Sequence, residues 1–276
     1  MIAKNTKTLE LLYNVNRVNL ILDYDGCIAD THTPWINLAN DIAGTSYTRK
    51  HWVDYDPKNC MPEIRDLMFK GYRDATTGEH QHLVVPSLYE KVRLMPGFVD
   101  AFEKMLDIPH TDIFVVTANP NAPGRTLEDF RREKITLLRR EFEKAGKTSL
   151  LKKWVPEDRL CMIVEGDLRG KACTHFDILI EDSPKVLHQY KQVHPDGICV
   201  VMDNPWTRGD DVAGVDQHRI MSWNDASTVP MLNHLTQQAR AMKKYRFEKD
   251  LYKSFCGTSV AISNPIQKRN FFSERS

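Results

Sequence analysis

The segment NLILDYDGCIADT, residues 19–31, constrains the fold of this chain more than any other. Its first four residues form a short, branched apolar run, which predicts a buried strand rather than a helix. Asp23 and Asp25 follow, and side chains two apart in an extended chain point to the same side. Two carboxylates in one small volume repel each other unless a cation joins them or one takes a proton. With Gly26 allowing a sharp turn, the segment predicts a functional site at a strand end, and a simple Asp-Gly turn is the alternative.

A calcium-binding loop is a second alternative, because Asp-X-Asp-Gly also opens loops of the EF-hand type. Such a loop needs further oxygen ligands after the glycine and a Glu near its end. Cys27, Ile28 and Ala29 supply none of these. The segment therefore does not fit a loop of this type.

Composition excludes several classes of protein. The formal net charge is +1 with 27% charged residues, so no overall electrostatic field favours binding to nucleic acid or to a membrane surface. No apolar run approaches the roughly 20 residues that span a bilayer, and the N-terminus lacks the apolar core of a signal peptide. The six cysteines are dispersed without a Cys-X-X-Cys pair, which argues against a disulfide framework or zinc knuckle. We expect a soluble cytoplasmic protein with reduced thiols.

Strand and helix patterns alternate along the rest of the chain. Buried strands are predicted at residues 113–116, 160–164, 176–180 and 198–202. Amphipathic helices are predicted at 98–106, from the capping pair Thr126 and Asp129 to Gly146, and from Ser183-Pro184 onward. This alternation predicts an α/β protein with a Rossmann-like, doubly wound parallel sheet.

Polar side chains follow several of these strands. The first strand ends at Asp23 and Asp25, the second at Thr117, and the fourth at Glu181 and Asp182. Because parallel strands bring their carboxyl ends to one edge of the sheet, we expect these groups to meet. Lys171 lies ten residues before Glu181 and adds a cation. Acids, a hydroxyl and a lysine at one crevice favour a site for Mg²⁺ and a phosphoryl group.

Each group also has an ordinary explanation. Taken alone, Thr117 is explained as an ordinary strand-end residue, and Lys171 as a lysine in a solvated loop. An acidic pair before Ser183-Pro184 is explained by its favourable interaction with a helix N-terminus. A P-loop at Gly170-Lys171-Ala172 fails, because Val164 and Ala172 occupy its first glycine and hydroxyl positions. It is the presence of all the groups in one order that indicates phosphoryl transfer.

In that order and spacing, the groups resemble the four motifs of the haloacid dehalogenase-like phosphohydrolases. The similarity is greater to 5'-nucleotidases of the 5'(3')-deoxyribonucleotidase type. It rests on residues 23–30 (DYDGCIAD), 96–98 (PGF), Lys171 with 177–182 (DILIED), 204–206 (NPW) and 222–223 (SW). It covers residues 19–225 and implies a haloacid dehalogenase-like core, Mg²⁺ as cofactor and a small phosphorylated substrate, in particular a nucleotide.

The resemblance also implies roles for individual residues. Asp23 would be the nucleophile that forms an aspartyl-phosphate, and Asp25 would be the general acid and then the base. Asp23, the backbone carbonyl of Asp25, and Asp182 would bind Mg²⁺, with Glu181 bound directly or through water. Glu181-Asp182 stands where the nucleotidases often have Asp-Asp, so which acid touches the metal is open.

Thr117 and Lys171 would hold phosphate oxygens. Ala118 follows Thr117, so a second phosphate-binding hydroxyl is missing, and Asn119 is the candidate to replace it. We therefore include Thr117, Ala118, Asn119 and Lys171 in the expected phosphate-binding set.

About 65 residues separate Asp30 from Pro96, too many for a plain connection, so we expect a small helical cap inserted there. The predicted units are a core at 17–31 and 96–228, the cap at 32–95, and a C-terminal helix and tail at 229–276. Aromatic side chains of the cap are candidates to stack on a nucleobase, or else they pack the cap's own core: Trp35, Trp52, Phe69 and Tyr72.

The sequence thus predicts a magnesium-dependent phosphomonoester hydrolase acting on nucleoside monophosphates. Two alternatives stay open. One is a phosphatase for nucleic-acid ends, suggested by six basic residues among aromatics at 240–253. The other is a binding or regulatory module that keeps the fold without turnover. Base and sugar preference, and the oligomeric state, are not indicated by the sequence.

Overall fold

The computed structural model describes residues 15–54, 59–64, 72–73, 80–81, 90–119, 126–164, 177–209, 212–215 and 217–256. Within them, six strands form one parallel sheet: β1 (Val18–Asp23), β6 (Thr111–Asn119), β7 (Leu160–Val164), β8 (Ile178–Glu181), β9 (Ile198–Met202) and β10 (Arg219–Ile220). Their spatial order is β10-β9-β8-β1-β6-β7. The prediction of an α/β protein with a parallel sheet is confirmed. The two-residue β10 was not predicted.

Strand β1 lies inside the sheet between β6 and β8. Its alternate residues face opposite sides: Leu20 and Leu22 join one apolar cluster, and Ile21 joins the other. A strand buried on both faces has no polar positions to alternate, so it reads as a continuous apolar run. Asp23 is the last residue of β1 and pairs in register with Val116. The strand therefore ends by delivering carboxylates to the sheet edge.

Helices cover both faces of the sheet. The described helices are α1 (His32–Ala43), which belongs to the insertion after β1, and α2 (Phe98–Met105), α3 (Leu127–Lys144), α4 (Thr148–Trp154), α5 (Pro156–Arg159), α6 (Pro184–Val193) and α7 (Thr228–Cys256). The capping box of Thr126 and Asp129 at the start of α3 is present as predicted. At α6, Pro184 occupies the first turn, but the Ser183 side chain makes no capping hydrogen bond. Helices on both sides make the sheet doubly wound, as expected.

The insertion after β1 contains α1, the 3-10 turn Arg49–His51 and short antiparallel strands. Strand β2 (Ala29–Asp30) pairs with β5 (Arg93–Leu94), so the two ends of the insertion meet at its base. A second pair joins β3 (Tyr72–Arg73) to β4 (His80–Gln81). We expected a small helical cap, and these two-residue strands are too short to leave a periodic signal in the sequence. The unit boundaries given above stay predictions.

The C-terminal helix α7 buries Leu232, Leu235 and Ala239 against the sheet. Beyond them, Lys243 contacts Asp177 and Arg246 pairs with Asp196. Part of the basic run at 240–253 is therefore paired within the chain. Among the described residues, no helix is both long and apolar enough to cross a membrane.

Candidate active site

The turn after β1 places Gly26 against the acid at the end of β8. Gly26 has φ +80°, and a Cβ there would lie 1.8 Å from Oδ2 of Asp182. Its amide donates to the carbonyl of Ala29 at 2.9 Å, which closes the turn. Only a residue without a side chain adopts this backbone and leaves room for the carboxylate.

Asp23 and Asp182 form a buried pair of acids at this edge, each 3% exposed. Possible ligand atoms of Asp23, Cys27 and Asp182 lie within 4.8 Å of one another. Mg²⁺ prefers hard oxygen ligands and keeps several waters. The two carboxylates therefore fit Mg²⁺, whereas the Cys27 thiol is not a ligand that this ion favours.

Glu181, the other predicted metal ligand, makes a different set of contacts. Its carboxylate accepts the backbone amides of Asp182 at 3.2 Å and Ser183 at 3.1 Å. These amides precede α6, so the negative charge also complements the positive end of that helix. Among the described residues, the cluster of possible metal ligands contains Asp182 and not Glu181. This arrangement favours Asp182 as the direct ligand.

Asp25 is held by two donors from other elements. Its Oδ2 accepts from Thr117 Oγ1 at 3.0 Å and from Lys134 Nζ at 2.7 Å. Lys134 Nζ also donates to Thr117 Oγ1 at 2.8 Å, so the three groups form a closed triangle. The Asp25 side chain is 37% exposed, while that of Lys134 is fully buried. The carboxylate therefore faces the open side of the site in one fixed orientation.

Sequence reasoning missed Lys134. The residue belongs to α3, and its ammonium lies 4.2 Å from the centre of the Tyr24 ring. A signal was available: Phe130, Lys134 and Leu138 follow at i, i+4 and i+8, and all are buried. A lysine inside an apolar stripe requires a partner, because a buried unpaired ammonium is very unfavourable.

Several predicted site residues lie wholly or partly outside the part of the chain that the structure describes. Ala118 and Asn119 lie in β6, where they pair with Ile163 and Val164, but their side chains are outside the described part. Lys171 and Phe69 lie outside the described residues, and only the backbone of Tyr72 is described. Their assigned roles stay predictions.

The insertion brings aromatic rings to the same edge. Trp52 is 3% exposed and packs edge-on against His32, at 4.7 Å between ring centres. Trp206, from the loop after β9, lies 4.3 Å from His32 and 6.1 Å from Trp52, between ring centres. Trp35 is partly buried against the same cluster. This packing agrees with the alternative that Trp52 serves the insertion's own core.

His32 is a neutral group in this setting. Burial lowers its pKa to about 4, and the nearby Arg49 guanidinium adds to the effect. Its Nδ1 is buried and has no hydrogen-bond partner within the described part of the chain.

Asp182 is held by two residues of the loop after β9. Trp206 Nε1 donates to the Asp182 carbonyl at 3.0 Å. The Asn204 amide donates to Asp182 Oδ2 at 3.4 Å and to the Gly26 carbonyl at 3.2 Å. The family resemblance includes residues 204–206 without implying a role for them, and in the fold Asn204 and Trp206 both contact Asp182.

Comparison with known proteins bears on this arrangement. The model of the family described as 5' nucleotidase, deoxy (pyrimidine), cytosolic type C protein matches residues 16–235. That range includes Asp23, Asp25, Thr117, Lys134 and Asp182. No curated protein matches the chain.

Solved structures with a similar fold are distant in sequence. A HAD family hydrolase from Deinococcus radiodurans R1, with bound phosphate and sodium, is 9% identical over 80% of this chain and 98% of its own, with a TM-score of 0.48. A haloacid dehalogenase-like protein of unknown function from Agrobacterium tumefaciens C58 is 11% identical over 78% and 98%, with a TM-score of 0.42. A haloacid dehalogenase-like family hydrolase from Xanthomonas campestris is 11% identical over 82% and 95%, with a TM-score of 0.41.

Proposed function

The chain belongs to the 5' nucleotidase, deoxy (pyrimidine), cytosolic type C family of haloacid dehalogenase-like phosphatases, and we propose how its site performs hydrolysis. The proposed reaction is magnesium-dependent hydrolysis of nucleoside monophosphates through an aspartyl-phosphate on Asp23. The family name and the residue types at the site support a cytoplasmic enzyme with a nucleotide substrate.

One observation carries the proposal. Asp23 and Asp182 form a buried acidic pair, while the neighbouring Asp25 is held apart from them by Thr117 and Lys134. Two acids of one short segment thus occupy different environments. Such a difference is what separates a nucleophile from a proton-transfer group.

The chemistry follows from these environments. Asp23 attacks phosphorus, and the bond from phosphorus to the nucleoside oxygen breaks as the aspartyl-phosphate forms. Asp25 gives a proton to the departing alcohol, and then takes one from the water that cleaves the acyl phosphate. Inorganic phosphate and a free Asp23 carboxylate result.

Asp23 and Asp182 would hold Mg²⁺, with the Asp25 carbonyl as a third candidate. The ion would supply positive charge that offsets repulsion between the phosphate dianion and the acids. Lys134 contributes a fixed cation through its contact with Asp25. Lys171 is assigned to the phosphate oxygens on the resemblance alone.

A panel of substrates tests the proposal. Purified enzyme with Mg²⁺ is given deoxynucleoside and ribonucleoside 5'- and 3'-monophosphates, a 3'-phosphorylated oligonucleotide and a 5'-phosphorylated one, and phosphate release is measured. We expect release from the mononucleotides, lost in Asp23→Asn. Phosphate release from oligonucleotides alone would overturn the assignment of nucleoside monophosphates as substrates. No release from any substrate would favour the non-catalytic alternative.

A further inference from the structure

Arg49 joins the insertion to the core beside the active site. It begins the 3-10 turn Arg49–His51, and its Nη1 pairs with Asp30 Oδ1 at 2.8 Å. Its Nη2 donates to Oδ1 of Asn204, a residue 155 positions later. The guanidinium also lies 5.8 Å from the centre of the Trp206 ring. One side chain of the insertion therefore contacts both the base of the insertion and the loop that holds Asp182.

The Arg49 contact decides which way the Asn204 amide points. A guanidinium has donors only, so the amide oxygen must face it. The amide nitrogen then faces the Gly26 carbonyl and Asp182 Oδ2. The reverse orientation would set the Asn204 oxygen against two other oxygens and lose three hydrogen bonds. Because Asn204 is 1% exposed, water does not replace them readily.

The loop that carries Asn204 is itself fixed. The backbone N–H of Asn204 donates to Thr207 Oγ1 at 2.9 Å, and Thr207 Oγ1 donates to the Met202 carbonyl at 2.9 Å. The backbone position of Asn204 is thus set by the core. What the insertion adds is the orientation of the side-chain amide.

From this geometry we propose that Asn204 and Arg49 are positioning residues for the metal ligand Asp182. Seating of the insertion through Arg49 orients the Asn204 amide, and that amide holds Asp182 Oδ2 so that the carboxylate stays aimed at the metal position. The inference rests on the proposed function in one respect, that Asp182 binds Mg²⁺. Partners behind a metal ligand typically change metal affinity about 10- to 100-fold when removed.

Direct binding of Mg²⁺ tests the proposal. The full chain without substrate is titrated with MgCl₂ by calorimetry, as wild type, Asn204→Leu and Arg49→Met. Leucine and methionine preserve the approximate size of each side chain and remove its polar contacts. We expect the Mg²⁺ Kd to rise by about 10- to 100-fold in Asn204→Leu, and by about tenfold in Arg49→Met. Arg208→Met is the matched control, since Arg208 pairs with Asp203 on the same loop and its side chain is 64% exposed.

A second readout separates positioning from general damage to the fold. Phosphate release is followed as a function of Mg²⁺ concentration, and kcat at saturating Mg²⁺ should recover in Arg49→Met towards the wild-type value. If Asn204→Leu does not fold, the Mg²⁺ affinity of Arg49→Met alone tests the inference. Unchanged Mg²⁺ affinity in the folded variants would overturn the inference, as would a kcat that stays low at all Mg²⁺ concentrations. A wild-type chain that binds no Mg²⁺ would instead overturn the proposed function.

Discussion

Replacing Lys134 with methionine tests whether the buried ammonium acts in catalysis. The substitution keeps an unbranched apolar stem in a space that is fully buried. It removes the donor to Asp25 at 2.7 Å, the donor to Thr117 at 2.8 Å, and the charge over the Tyr24 ring. Asp25 keeps its bond from Thr117 and can move away from the orientation that two donors impose.

The size of the effect follows from these contacts. A hydrogen bond to a charged group contributes about 1.5–3 kcal/mol, and removing one partner of a buried ion pair costs about 3–5 kcal/mol. Because Asp25 is 37% exposed, water partly replaces the lost donor, and the lower range applies. At about 1.4 kcal/mol for each factor of ten, kcat/KM should fall about 10- to 100-fold.

The same substitution should lower stability moderately. Removing one partner of a fully buried ion pair costs about 3–5 kcal/mol, but the carboxylate left behind here, Asp25, is 37% exposed and can be hydrated, and methionine no longer carries the cost of burying an ammonium. We expect the free energy of unfolding to change by less than about 2 kcal/mol.

The assay pairs steady-state phosphate release with chemical denaturation for wild type, Lys134→Met and Lys144→Met. Lys144 is the control on the same helix, because it pairs with Glu141 at the surface and is 53% exposed. Wild-type kcat/KM in Lys134→Met would refute the reasoning. A loss of activity explained entirely by unfolded protein would refute it equally.

Three further predictions follow from the site. Gly26→Ala should abolish turnover and lower stability by at least about 1–2 kcal/mol, because φ is +80° and the new Cβ meets Asp182; thermal unfolding and phosphate release check both. Asp25→Asn should lower kcat about 100- to 10,000-fold and leave the Mg²⁺ Kd nearly unchanged, because its backbone carbonyl survives; equal losses in both would contradict its role as the proton-transfer group. His32 is neutral in the fold down to about pH 4, whereas in the unfolded chain it takes up a proton below about pH 6.5. Its contribution to stability is therefore complete above pH 6.5 and is lost as the pH falls towards 4. The loss is at most about 1.4 kcal/mol per pH unit and is smaller for this half-buried ring, and denaturation at pH 7 and 5 should show a shallower dependence in His32→Gln.

The sequence predicted those parts of the fold that local patterns determine. β7 and β9 have the predicted bounds, because each is a short apolar run with a clear boundary. β1 and β6 extend beyond their predicted ends, since flanking residues such as Asp23, Thr111 and Asp112 continue the pairing. β10 and the pair β2–β5 have two residues each, and their existence depends on partners far away in the chain.

The site was predictable where its chemistry lies at strand ends. Asp23, Asp25, Thr117 and Asp182 could be grouped because parallel strands converge. Lys134 was missed, because a lysine on a charged helix is usually solvated, and only its place in an apolar stripe indicated otherwise.

The remaining details required three-dimensional contacts. The sequence does not tell the contacts of Glu181 from those of Asp182. In the fold, the Glu181 carboxylate accepts backbone amides, whereas Asp182 lies beside Asp23. The contact between Arg49 and Asn204 joins segments 155 residues apart. No local pattern encodes such a contact.

The central claim is that Asp23 carries the phosphoryl group during turnover, and trapping that group tests it most directly. Wild type, Asp23→Asn and Asp25→Asn are mixed with p-nitrophenyl phosphate and Mg²⁺, quenched in acid, digested and analysed by mass spectrometry. The leaving group of this substrate departs as p-nitrophenolate without a proton donor, so Asp25→Asn should release it once and accumulate the intermediate. We predict a hydroxylamine-sensitive phosphoryl group on the peptide that contains Asp23, most abundant in Asp25→Asn and absent from Asp23→Asn. Turnover by Asp23→Asn at the wild-type rate, with no phosphorylated peptide in any variant, would contradict the account.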